Sequence, residues 1–124
     1  MPVSAFAGRL DLLVGSGQVT PQAQALTAHV IDRVERQFSL VLTEENGALL
    51  VTHVALSITR LAAGDIGVEA PARLAKEVAE HPRERDAARD ILADVAAAIG
   101  REMPAAEILY TAAHLCALTT SPVA

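Results

Sequence analysis

Residues 43–60 read Thr-Glu-Glu-Asn-Gly-Ala-Leu-Leu-Val-Thr-His-Val-Ala-Leu-Ser-Ile-Thr-Arg, and the rest of the chain is organised around them. The stretch opens as a helix. Thr43 has an N-cap side chain, Asn46 follows three residues on, and Glu44 and Glu45 put negative charge where the helix dipole favours it. Beyond that turn the segment is almost wholly apolar, so it predicts a helix buried on most of its circumference. His53 and Arg60 interrupt the pattern. Seven residues at about 100° each bring them within roughly 20° of one another on one stripe, with Ser57 between them and Gly64 beyond.

Composition bounds the rest. A chain of 124 residues fits one domain with a modest core. The single cysteine, Cys116, excludes an intramolecular disulfide and a thiolate metal cluster. No signal-peptide pattern opens the chain and no apolar run approaches the length of a membrane span, so a soluble cytoplasmic protein is expected, with no membrane partner. The net charge of −5, with one lysine (Lys76) and the arginines interleaved with acids, argues against direct nucleic-acid binding. Aromatic residues make up 2% of the chain, too few for base stacking. An alanine- and leucine-rich composition poor in strand formers predicts an all-α fold: a compact bundle of five to six helices.

In chain order, Phe6, Leu10, Leu13 and Val14 mark a short amphipathic helix over 1–15, stopped by Gly15-Ser16-Gly17. Thr20-Pro21 starts a second helix, running to about Phe38 on a stripe of Leu26, Val30, Val34 and Phe38. The third is the segment above, ending near Ala63-Gly64. A loop over 65–71 leads to a short helix near 72–80, with Leu74 and Val78 inward. Pro82 begins a fifth, with Ala88, Ile91, Leu92, Val95 and Ile99 inward, and Pro104 a last one reaching about Leu118. The organisation expected is an N-terminal extension over 1–19, a helical domain over 20–118 and a frayed tail over 119–124.

The last helix repeats the logic of the third. Ile108, Leu109, Ala112, Leu115 and Cys116 group on one side, while Glu107 and His114 lie seven apart on the other, with Thr111 between. If the two helices pack side by side, two imidazoles, a guanidinium and a carboxylate share one cleft. An unprotonated imidazole near neutral pH is a nucleophile. A carboxylate that accepts from one ring N–H leaves the other nitrogen free to attack a phosphoryl group, and an arginine holds phosphate bidentately. The opposing reading is that both histidines are hydrogen-bonded scaffold.

These residues resemble a known family. Leu50-Val-Thr-His-Val-Ala-Leu-Ser-Ile-Thr-Arg60 resembles the first histidine motif of the phosphotransferase-system regulation domain (the PRD), and Pro104-Ala-Ala-Glu-Ile-Leu-Tyr-Thr-Ala-Ala-His-Leu115 the second. His81-Pro82 and the Ile99-Gly-Arg-Glu-Met-Pro104 turn fall where the family has a Tyr-Pro-type helix start and a Gly-x-x-x-Pro link, so the likeness spans about Gln22 to Leu118. It implies a homodimeric regulatory module, not an enzyme. By the same resemblance His53 and His114 are the phosphoacceptors, served by the phosphocarrier histidine protein or a sugar-permease component. Arg60, Glu107, Ser57 and Thr111 are the seam partners, and a separate transcription regulator is a further partner. Thr52 stands where the family often has an aspartate, and the chain reads as a free-standing member.

No cofactor and no metal are expected. Helical metal motifs favour ligands three or four residues apart, and no such pair is read here. His29 and His81 read as surface residues, Cys116 as a small hydrophobe, and Tyr110 as lining either the cleft or the core. The alternative function is a helical dimerisation or adaptor domain with purely structural histidines.

Overall fold

The computed structural model describes residues 5–65, 67 and 69–120. It contains α1 (Ala7–Gly15), α2 (Pro21–Phe38), α3 (Glu44–Ala62), α4 (Ala72–Ala79), α5 (Pro82–Ile99) and α6 (Ala105–Thr120), with no strand among the described residues.

Local chemistry sets the helix ends. The Thr20 hydroxyl accepts from the Ala23 N–H, and Pro21 supplies a first helical residue that needs no donor. Thr43 and Asn46 form a reciprocal capping box: Thr43 Oγ1 accepts from the Asn46 N–H at 3.3 Å, and Asn46 Oδ1 accepts from the Thr43 N–H at 2.7 Å. At the other ends α5 stops on Gly100 in the left-handed region (φ 69°), whereas α2 stops on Ser39 with φ 52°, where a Cβ is strained.

Two helix pairs make the body. α2 lies along α3 and α5 along α6; α3 then meets α6 and α2 meets α5, so the four long helices enclose one core. Val30, Val34, Val51, Val54, Ile58, Ile91, Val95 and Leu115 fill it, and the buried Ala55, Ala88 and Ala112 let the backbones come close. α4 covers α5 and α6. No helix of the described residues is long and apolar enough to cross a membrane.

Several boundaries and faces differ from the sequence expectation. Among the described residues the first helix begins at Ala7, and residues 1–4 of the expected helix lie outside them. Phe6, Leu10 and Val19 of the expected extension are all buried in the same core as α2 and α3. A Cβ at Gly47 on α3 would lie 3.0 Å from the Phe6 ring, so glycine there makes room for the ring. On α2 the inward row is Ala23, Thr27, Val30, Ile31, Val34 and Phe38, with Leu26 only partly covered. Thr27 fits because its hydroxyl donates to the Ala23 carbonyl at 2.7 Å. α6 continues through Thr120, and Thr119 is held by a hydrogen bond to Glu84; residues 121–124 of the expected tail lie outside the described residues.

Candidate functional site

α3 and α6 face one another with their polar stripes, and the pairing crosses between the helices. His53 Nε2 lies 3.1 Å from Glu107 Oε2. Glu107 is 4% exposed, and Ser57 and Thr111, one helical turn along from His53 and Glu107 respectively, are buried beside it. The Ser57 hydroxyl is 3.5 Å from the same ring nitrogen. The Glu107 carboxyl is held below its ordinary value. The hydrogen bond from His53 is the main cause, helped by Ser57 and by the positive charges of His53 and Arg60, and together they outweigh burial, which acts the other way. An ionised carboxylate only accepts, so His53 Nε2 carries the proton and donates it. In neutral His53 the lone pair is then on Nδ1.

His114 is placed differently. Its ring centroid lies 5.3 Å from that of His53, with the planes tilted by 40°, and Tyr110 approaches His53 at 5.8 Å from the same helix. Neither ring nitrogen of His114 has a hydrogen-bond partner among the described residues. Burial, and then the neighbouring His53, push its pKa down. His114 is therefore a half-buried imidazole kept neutral near physiological pH, with a nitrogen lone pair uncommitted.

Thus His53, Ser57, Glu107, Thr111 and His114 come together, and Arg60 stands apart. The Arg60 side chain is exposed and makes no hydrogen bond or ion pair among the described residues; only its charge reaches Glu107. The arrangement expected from periodicity, Arg60 with His53 and Glu107 with His114, is replaced by His53 with Glu107. Same-helix spacing places residues on a stripe but does not say which residue of the facing stripe each one meets. The cavity beside His53, Ser57, Glu107 and Thr111 measures about 10 Å³, room for a water molecule but not for a substrate.

Thr52, the residue before His53, accepts from Arg9 of α1 at 3.3 Å. Arg9 also grips Glu44 through Nε and Nη2, at 2.9 Å for the shorter ion pair. Where a carboxylate was the pattern, a neutral hydroxyl instead receives an arginine from the amino-terminal helix. His29 is exposed, as expected, and pairs with Asp94 at 2.8 Å; Arg33 joins the same carboxylate, which is held below its ordinary range chiefly by the His29 bond.

Two expectations need correcting. His81 is half-buried. Cys116 stays a neutral thiol, since burial and the Glu84 carboxylate push its pKa up, but its sulfur has polar company in Glu84 and His81 that the apolar reading did not include. Sequence reasoning missed Glu84 altogether, which is only 7% exposed. The available signal was the three-residue spacing of His81 and Glu84 at the start of α5.

A family model described as PRD domain matches residues 28–118. No curated protein and no solved structure matches the chain.

Proposed function

The chain belongs to the PRD family, whose members are regulatory modules of the phosphotransferase-system type, and we propose that its output is set by phosphorylation of the imidazole seam between α3 and α6. The observation that carries this reading is the pair of rings 5.3 Å apart, one tied to a buried carboxylate and the other free. His114 is the stronger acceptor on chemical grounds, because it is neutral and uncommitted. His53, anchored through Nε2, offers only Nδ1.

The donor in this reading is a phosphohistidine, on the phosphocarrier histidine protein or a sugar-permease component. The His114 lone pair attacks phosphorus as the donor's N–P bond breaks, and the donor imidazole recovers its electron pair. The product adds about −1.5 to −2 charges against the His53 ring, whose Nε2 is tied to the ionised Glu107. A doubly charged group forced into this half-buried seam, which already holds one buried carboxylate, repacks it, and a shift of α6 against α3 is the signal passed to a homodimer partner and on to a separate transcription regulator.

The test is incubation with phosphoenolpyruvate-driven phosphocarrier and radiolabelled phosphate. An acid-labile label, abolished in His114→Ala and reduced in His53→Ala, is the expected result; an unlabelled wild-type protein overturns the proposal. A second reading, a dimerisation or adaptor domain, draws on the His53–Glu107 hydrogen bond as plain scaffold. It predicts that both variants alter stability and leave partner response unchanged.

A further inference from the structure

On the flank of α6 away from the seam, a side-chain nitrogen of His81, a carboxylate oxygen of Glu84 and the sulfur of Cys116 all lie within 4.8 Å of one another. Two of the three come from one local device. His81 precedes Pro82, the first residue of α5, and Glu84 sits in the first turn of the same helix. Cys116 arrives from the second half of α6, about 200° round that helix from His114. We propose that these three side chains bind a zinc ion that fastens the α4–α5 turn and the start of α5 to α6, the Cys116 thiol giving up its proton to water as its sulfur ligates the ion.

Glu84 supplies the first reason. It is 93% buried, and its one hydrogen bond comes from a neutral group, the Thr119 hydroxyl at 2.9 Å. No arginine or lysine among the described residues forms an ion pair with it. A buried carboxylate left without a cation is costly, and a divalent ion supplies the missing charge. Thr119 then plays the part that outer hydrogen bonds play at metal centres: it fixes the carboxylate and leaves the other oxygen for the ion.

The second reason is access and donor capacity. The ring nitrogens of His81 have no hydrogen-bond partner among the described residues. A cavity of about 270 Å³ opens beside His81 and Cys116, with Leu74 and Val78 on its wall and the exposed carboxylates of Glu77 and Glu80 at its edge. It provides an entry path and space for a water as fourth ligand.

The third reason is selectivity. One nitrogen, one oxygen and one sulfur suit zinc, whereas magnesium and calcium take oxygen donors. Bonds of about 2.0–2.3 Å in a tetrahedron put donor atoms roughly 3.5 Å apart, so side-chain movements of about 1 Å close the site.

Zinc titration of the full chain by calorimetry, and cobalt titration followed by absorption, test the site. One ion per chain is expected, with a sulfur-to-cobalt charge-transfer band. Cys116→Ser should abolish that band, and it and His81→Ala should each weaken zinc binding at least tenfold. Glu84→Gln, which preserves shape, should do the same, with helicity by circular dichroism confirming that each variant folds. A His53→Ala/His114→Ala protein should bind zinc as the wild type does. Absence of the charge-transfer band in the wild type overturns the proposal. So does zinc affinity that is indifferent to Cys116→Ser, or that is lost with the two seam histidines.

Discussion

Glu107 decides the electrostatics of the seam. Glu107→Gln keeps the side chain's shape but turns a charge-assisted hydrogen bond into a neutral one, and should cost about 1 kcal/mol in urea denaturation near neutral pH. The direction of the pH dependence follows from two depressed pKa values. Glu107 stabilises the fold fully above its ordinary value of 4.5, and that contribution is lost as pH falls through its lower folded value. His114 prefers to be neutral in the fold. Its contribution is complete above 6.5 and declines below it, because the unfolded chain takes up the proton first. His53 is the titratable group that acts on it, and both effects make acid destabilising. The midpoint of thermal unfolding should therefore begin to fall once pH drops below 6.5, and His114→Gln should flatten that first decline while leaving the steeper one below 4.5. Both histidines were legible in the sequence because they stand out against apolar helices. Their partners were not, since the seven-residue spacing that groups Arg60 with His53 holds within one helix only.

At the level of single elements the sequence was most readable where caps are written in side chains. Thr43 and Asn46 form the expected start of α3, and Thr43→Ala should lower stability by about 1 kcal/mol in a denaturant titration. The end of α2 was less readable, because a serine gives no warning of left-handed backbone. Ser39→Gly relieves the strain at φ 52° and should raise stability by roughly 0.5–1 kcal/mol, measured the same way. The inward row of α2 was misread at Leu26 because Thr27 looks polar until its hydroxyl is returned to the helix's own carbonyl. Glu84 escaped notice for a related reason. Burial of a carboxylate depends on which helix passes over it, and α6 comes from far along the chain.

The whole molecule does not divide where the sequence motifs do. Phe6, Leu10 and Val19 lie outside the 28–118 match yet are buried with the core, and Arg9 ties α1 to the residue next to His53. Each of those apolar side chains contributes about 1.5–3 kcal/mol through burial. Removing residues 1–19 should thus take away several kcal/mol of a typical total of about 5–15, visible as a sharply lowered melting temperature. That an amphipathic helix exists near the start was legible; the surface it docks on was not, because docking depends on the space that Gly47 leaves for the Phe6 ring. α6 has a consequence of its own. It turns Glu107 and Thr111 toward α3 and Thr119 toward α5, so it behaves as an axle with a cog on either side. A twist that disengages one cog must rotate the other by the same angle, and neither flank of this protein can be adjusted in private.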